Sequence, residues 1–509
     1  MRKGGRKVAF SLSADARNEP FLNRDLTSSA LLLRHQRTLL SIMAVIHTAE
    51  KLLPSGLHPA LHKLASALSR KDETARAQRM ALIAFAIRVV SAAIAFGSQI
   101  IQARLMGEFE YGIFVFVWVL VVLFGNLSCL GFHTAVIRFL PQYDARDERD
   151  EIRGLTMTAR VFSISSASAL ALIGFAVLHV FGEAIEAYYM IPLFLGLLAL
   201  PMIALGDVLD GTARANSWPV AALSPTYIVR PLLILGFMLA AVALGAPQTA
   251  TTAMQAALAA TYVTSLGQFL TIDRRLQERY VAGPRKIDFL AWFKVAIPIF
   301  LIDGFGFLLT NSDVVVVGLY LEPDQVAIYF AAAKTMALVQ FVFFAVKAAA
   351  APRFSAMMAA DDLRPLAVFA GTTVRWSFWP SLAVGTCVLL TGNLLLSLFG
   401  DAFTAGYWLM AILFAGSLSK AMVGPGEVLL TMAGKQQLCV SVYVVALASN
   451  IGLNITLIPL YGLTGAAIAT ATAMLVEAIL LHLAVRSSLG IVLFAFADPL
   501  AILNKTRTS

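Results

Sequence analysis

Long apolar runs, broken by short polar stretches, fill residues 81–485 of the chain. Each run comes close to the roughly 20 residues that a helix needs to cross the hydrocarbon of a bilayer. Twelve spans are expected, near 81–103, 113–137, 157–181, 187–209, 223–245, 251–272, 295–319, 326–348, 375–398, 406–430, 437–459 and 463–485. The polar breaks alternate in character. One set is basic, with Arg138, Arg146, Arg149, Arg153 and Arg160 between spans 2 and 3, Arg274, Arg275, Arg279, Arg285, Lys286 and Lys294 between spans 6 and 7, and Lys347, Arg353, Arg364 and Arg375 after span 8. The other set, around Glu183, Pro247, Glu322, Asp401 and Tyr461, is short and almost free of basic charge. Basic loops resist export, so the basic set and both termini are expected on the cytoplasmic side.

Composition agrees with this pattern. With 59% hydrophobic and 14% charged residues, the chain cannot be a water-soluble globule, in which about a quarter of residues are charged. The net charge of +9 reports topology more than partners. A nucleic-acid role would need a basic soluble domain, and only the N-terminal arm remains for one, so no nucleic-acid partner is expected and membrane lipids are.

The chain also contains a copy of itself. Phe181-Gly182-Glu183-Ala184, with Ala187 and Tyr189, returns 218 positions later as Phe399-Gly400-Asp401-Ala402, with Ala405 and Tyr407. Glu151-Ile152-Arg153 pairs with Asp362-Leu363-Arg364 and Pro141 with Pro352, both 211 positions on, and Gly206-Asp207-Val208-Leu209 pairs with Gly426-Glu427-Val428-Leu429 at an offset of 220. An even number of spans per copy makes the copies point the same way, about a pseudo-twofold axis along the membrane normal. The expected fold is an all-α integral membrane protein with twelve transmembrane helices in two parallel-repeat six-helix lobes. Its divisions are a basic N-terminal cytoplasmic arm (1–79), an N-lobe with spans 1–6 (80–272), a cytoplasmic linker with Gly283-Pro284 at its centre (273–294), a C-lobe with spans 7–12 (295–485) and a C-terminal cytoplasmic tail (486–509). The linker's length and polarity suit a hinge. The arm carries Arg34, His35 and Arg37 among the apolar residues of Leu26 to Leu53, and suits either an anionic lipid surface or an unstructured lead, with translation starting near Met80 as a third reading.

Catalytic and metal chemistry find no support. Gly434-Lys435-Gln436 lacks the upstream glycine and the Ser or Thr of a phosphate-binding loop. His58 and His62 have Pro59 between them and no third ligand. Cys129, Cys387 and Cys439 lie singly in apolar spans and predict no disulfide framework. No enzyme activity, metal or cofactor is expected.

What remains is charge within the membrane. An ionisable side chain at the bilayer centre costs about 2.5–3.5 kcal/mol on insertion scales, so it normally faces a cavity or a partner. Arg88 lies in span 1, some 24 Å of helix below Arg104 at the span's outer end. Lys334 lies about 12 Å into span 8, beside the small side chains of Ala331, Ala332 and Ala333. Arg230 precedes Pro231 in span 5. Asp303, next to Gly304 and Gly306, and Asp313 are about 80° apart around span 7, so they do not share one site; Asp313 is placed to pair with Lys334. Lys420 and Glu427 stand two turns apart on one face of span 10 and read as a polar cluster within the second lobe, and Glu477 is a further charge in span 12. Asp207 and Glu427 occupy the same place in the two repeats, which predicts a shared architectural role.

Ala103-Arg104-Leu105-Met106-Gly107, followed by Glu110-Tyr111-Gly112-Ile113-Phe114, resembles the first external loop of the bacterial polysaccharide transporters, the lipid-linked oligosaccharide flippases of the multidrug/oligosaccharidyl-lipid/polysaccharide exporter superfamily. Gly131, Arg138-Phe139-Leu140-Pro141 and Tyr143 resemble the end of that family's span 2. Asp313 with Val314 to Gly318, and Ile328-Tyr329 ahead of Lys334, resemble its spans 7 and 8. The resemblance covers about 80–490 and implies a MATE-like pair of lobes around a cleft lined by spans 1, 2, 7 and 8. It also implies a substrate, an undecaprenyl-diphosphate-linked oligosaccharide such as an O-antigen, exopolysaccharide or capsule repeat unit, carried across the inner membrane by alternating access. A polysaccharide polymerase or export complex is the implied protein partner. A diphosphate carries about two negative charges, which a cationic cleft attracts strongly where water is scarce. Arg88 and Lys334 are therefore the expected headgroup contacts, and Arg104, Arg230, Asp303, Asp313 and Lys420 the further candidates for cleft lining or coupling. The long arm and a lysine at position 334, a point charge without a bidentate fork, depart from the family pattern. The rival readings are a cation-coupled multidrug exporter of the same superfamily, disfavoured by Arg88 in a span where such exporters carry an acid, and a non-transporting scaffold of the export machinery. A peptidoglycan-precursor flippase would need two further spans, which residues 491–504, interrupted by Asp498-Pro499, are too short to supply.

Overall fold

The computed structural model describes residues 73–359 and 363–501. The N-terminal arm's lipid-facing stretch and its His58–His62 pair lie outside the described residues. Residues 83–509 form one compact unit, mostly helical in its described part, with residues 281–288 and most of 490–501 outside any helix. Its helices are α1 (Ala86–Ser128), α2 (Phe132–Ala145), α3 (Arg149–Phe181), α4 (Ala187–Ala215), α5 (Pro219–Ala243), α6 (Ala250–Arg279), α7 (Phe289–Tyr320), α8 (Pro323–Met358), α9 (Leu363–Leu390), α10 (Asp401–Met432) and α11 (Gln436–Leu489). Eight of the described helical segments are long and apolar enough to cross a membrane, so the chain is a multi-pass membrane protein.

Two of these helices are too long for one crossing. α1 and α11 hold 43 and 54 residues, about 65 and 81 Å of helix against about 30 Å of hydrocarbon. Each breaks at a glycine with positive φ, Gly107 (φ 77°) and Gly462 (φ 56°), a conformation that costs glycine nothing. The two copies of the repeated motif adopt the same local structure: Gly182–Ala184 and Asp401–Gly406 are both 3-10 turns that feed a long helix.

Packing is densest within two groups. α2 and α3 pack on α4, and α4 and α5 on α6; in the second half α10 and α7 pack on α11, and α8 on α9. α7 also crosses to α2. The two halves meet closely at the end that carries Glu183, Glu322 and Asp401, here called the acidic end. There Arg104 donates to the Leu398 carbonyl at 2.7 Å and to the Ser397 carbonyl at 2.5 Å. Phe96 packs edge-on against Phe399, and Tyr111 lies between Phe330 and Phe403. Gly112 touches the Pro323 backbone so closely that an added Cβ would fall 1.7 Å from its carbonyl oxygen.

At the opposite, basic end, the segment joining the halves is pinned and not slack. Arg153 donates to the carbonyls of Val281 and Pro284 at 2.7 and 2.8 Å, and the Lys286 N–H bonds to the Asp150 carbonyl. Lys286 also donates to Glu151 at 2.8 Å, and that hydrogen bond holds its ammonium above the usual lysine range. Trp292, fully buried, donates from Nε1 to the Tyr143 hydroxyl at 2.9 Å.

Residues 490–501, expected as part of a tail, are built into the second half. Ile491, Leu493 and Ala495 are buried in one apolar cluster with Phe354, Leu366, Val374 and Phe378. Their placement follows from a break in α10 at Gly424–Pro425. Proline has no N–H to continue the ladder, and the Gly426 N–H turns to the Gly424 carbonyl. The Met422 carbonyl, left without its helical donor, accepts from Ala495 N–H at 3.0 Å.

Candidate functional site

Local irregularities in α5 and α8 shape the site. α5 opens with Pro219–Ser224, widens into a π-turn at Pro225–Val229 and resumes at Arg230; such bulges re-aim side chains. Tyr227 sits in the widened turn and meets Arg88 of α1. The Arg88 guanidinium lies 4.0 Å from the Tyr227 ring centre and 5.6 Å from that of Phe344, and Nη2 donates to the Tyr227 hydroxyl at 3.3 Å. In α8 the helix tightens into a 3-10 turn, Ala337–Val339, directly after the α-helical turn that bears Lys334.

Arg88, Tyr227, Lys334, Gln340 and Phe344 line one cavity of about 330 Å³, bounded by α1, α5 and α8 and so by both halves of the chain. Lys334 is half-buried, its Nζ 5.0 Å from the centre of the Phe330 ring. It makes no hydrogen bond or ion pair among the described residues. A cation withdrawn from water without a partner is costly, so Lys334 leaves an attractive potential in the cavity.

Lys334 also lines a second cavity of about 330 Å³, inside the second half, together with Asp313, Lys347, Lys420, Glu427 and Glu477. Two of its carboxylates are ion-paired. Lys420 meets Glu477, which is 2% exposed, at 2.9 Å. Lys347 pairs with Glu427, whose other oxygen accepts from the Tyr443 hydroxyl at 2.5 Å. Asp313 does not form the expected pair with Lys334. Its Oδ2 accepts from the buried Tyr329 hydroxyl at 2.9 Å and its Oδ1 from the Val314 N–H at 2.8 Å, so its own neighbours satisfy it first. Nor do Lys420 and Glu427 share one helical face, because the break at Gly424–Pro425 separates them and gives each its own partner.

The remaining candidates stand apart. Asp303, exposed, accepts from the Thr134 hydroxyl of α2 at 2.8 Å and borders a third cavity of about 810 Å³ with Lys347 and Glu427. Arg104 is occupied at the acidic end, away from these cavities. Arg230 is 6% exposed inside the first half; its Nη2 donates to Thr226 at 3.3 Å and its Nε has no partner among the described residues.

Asp207 and Glu427 turn out to be matching braces. Asn126 donates to Asp207 at 3.0 Å across 81 positions, and Lys347 reaches Glu427 across 80. Asp207 ties α4 to α1, and Glu427 ties α10 to α8. Tyr227 was not singled out from sequence, although Pro225 and Pro231 flank it closely. Tyr329 entered only through the Ile328-Tyr329 resemblance and Glu477 only as a charge in an apolar span, and neither carried the contact that the structure gives it.

Solved structures resemble this chain over most of its length. An inward-facing multidrug resistance MATE family transporter of the MOP superfamily superposes with a TM-score of 0.64 at 13% identity, over 79% of this chain and 94% of that one. The lipid II flippase MurJ, in an inward closed conformation, gives 0.61 at 14% identity, over 80% and 87%. An outward-facing MATE family transporter of the MOP superfamily gives 0.59 at 14%, over 80% and 95%. Identities this low show a common fold, the MATE-like fold that the family resemblance implied. No curated protein matches the sequence. The family model for polysaccharide biosynthesis proteins matches residues 78–358, more than half of the chain and the whole stretch that bears Arg88, Asp313, Tyr329 and Lys334, and the chain belongs to that family.

Proposed function

We propose that the protein is a flippase that moves an undecaprenyl-diphosphate-linked oligosaccharide across the bacterial inner membrane by alternating access, with Arg88 and Lys334 holding the diphosphate. One observation carries the reading: two cations from different halves of the chain line a single cavity, and Lys334 has no anionic partner among the described residues. A diphosphate supplies the missing charge where the dielectric is low. Arg88 is held by Tyr227 without an acid, which leaves its guanidinium free to share that anion. In this reading there are twelve spans, reached if α1 and α11 each cross twice and α6 and α9 cross as well. The N-lobe is 80–272, the linker 273–294 and the C-lobe 295–485, with the arm (1–79), the tail (486–509) and the basic end in the cytoplasm. The contacts at the acidic end then close the outer side.

The test replaces Arg88 and Lys334 singly by alanine and follows lipid-linked sugar reaching the outer leaflet. Losing one charge-assisted contact, about 1.5–3 kcal/mol, lowers delivery roughly 10- to 100-fold in each variant. Undiminished delivery by both overturns the headgroup assignment. Drug efflux by the intact protein without sugar delivery would favour a multidrug exporter.

A further inference from the structure

Lys334 and Asp313 line the same cavity, carry opposite charge and interact electrostatically, yet no ion pair joins them. A chain of hydrogen bonds keeps them apart. Tyr329, fully buried and on the same helix as Lys334, donates its hydroxyl to Asp313, and the Thr470 hydroxyl stands 3.1 Å from the Tyr329 oxygen, able to donate to it in turn. Thr470 is itself buried. The chain Thr470–Tyr329–Asp313, with the Val314 N–H on the second carboxylate oxygen, satisfies Asp313 without a cation.

We propose that Tyr329 is a positioning residue that holds Asp313 back from Lys334 and so keeps the lysine available to an anionic headgroup. The inference rests on the assignment of Lys334 as a headgroup contact. Its physical basis is competition: an internal carboxylate that reaches Lys334 would neutralise it and must be displaced before a diphosphate binds. Lys347 and Lys420 cannot relieve Asp313, because each is already engaged by a glutamate, and no other cation lines this cavity among the described residues. With Tyr329 removed, Asp313 retains its backbone donor and turns its freed oxygen towards Lys334.

The experiment measures binding of undecaprenyl diphosphate to the full chain in nanodiscs, for the wild type, Tyr329→Phe, Asp313→Asn, the double variant and Lys334→Ala. Tyr329→Phe is expected to weaken binding about tenfold, within the usual range of coupling between neighbouring sites. Asp313→Asn binds at least as tightly as the wild type, and the double variant recovers wild-type affinity, a rescue that loss of packing alone would not give. If Tyr329→Phe does not fold, Thr470→Val, which loosens the same tyrosine, is expected to weaken binding by less and to be rescued by Asp313→Asn. Wild-type affinity in Tyr329→Phe, or a double variant as weak as Tyr329→Phe, overturns the proposal while a weak Lys334→Ala leaves the headgroup assignment standing. Wild-type affinity in Lys334→Ala overturns both.

Discussion

Arg104 closes the acidic end with two hydrogen bonds from one guanidinium, and Arg104→Ala removes both. The acceptors are the carbonyls of Ser397 and Leu398 at the end of a short helix, where backbone oxygens lack helical donors. A hydrogen bond from a charged donor is worth about 1.5–3 kcal/mol when sheltered; here the side chain is exposed, so the pair together contributes about 1–2 kcal/mol. Losing that shifts the equilibrium between closed and open forms of the acidic end by roughly 5- to 30-fold. The aromatic contacts of Tyr111 and the Gly112–Pro323 approach remain, so the closed form should weaken without vanishing. Spin labels at Leu244 and Leu390, exposed and near the acidic end on opposite halves, report the change as a longer-distance population once Cys129, Cys387 and Cys439 are replaced. Arg104→Lys keeps the charge and loses the two-pronged geometry, and falls between the wild type and Arg104→Ala. An unchanged distance distribution in Arg104→Ala would refute the idea that this residue latches the halves.

The Lys420–Glu477 pair predicts an asymmetric cost. Lys420→Met strands a carboxylate that is 2% exposed and should cost about 3–5 kcal/mol, whereas Glu477→Gln strands a lysine whose side chain keeps 32% of its surface and should cost about 1–3 kcal/mol; the double variant recovers most of the loss. Thermal unfolding in detergent checks the order, and a larger cost for Glu477→Gln contradicts it. At the basic end, burial and the Asp144 carboxylate that accepts its hydrogen bond push the Tyr280 phenol up to about 12. A raised pKa favours the protonated form in the folded state, so this contribution is complete below the unfolded value near 10 and is lost as pH rises towards 12. The ultraviolet difference titration between the wild type and Tyr280→Phe should show one late phenol, and a midpoint near 10 counts against the hydrogen bond to Asp144.

Much of this architecture could be read from the residues. The repeated Phe-Gly-acid-Ala motif foretold two related halves, and it falls at two matching 3-10 turns; Arg88 and Lys334 stood out because charge in an apolar run needs a reason. The pairings were less legible. From spacing alone Lys420 should face Glu427, but Gly424-Pro425 breaks the periodicity on which that spacing depends, and the true partner, Glu477, lies on the next helix, α11, which packs against α10. Asp313 and Lys334 looked like a pair because opposite charges on neighbouring spans attract, and the tyrosine that intercepts the carboxylate entered only as part of the Ile328-Tyr329 resemblance, which gives it no contact. Residues 490–501 read as a tail because Asp498-Pro499 interrupts them, though Ile491 and Leu493 point into the core.

The hydrogen bond from Ala495 to Met422 also has a bearing on biogenesis. At about 5–20 residues per second, a ribosome needs roughly 3–12 s to pass from the end of α10 to residue 495. Until then the Met422 carbonyl lacks the Ala495 donor, and the apolar flank of the broken helix lacks the segment that covers it. The C-terminal half must therefore reach the bilayer in a provisional state, and a nascent chain that stalls in this interval offers quality-control proteases an unfinished seam.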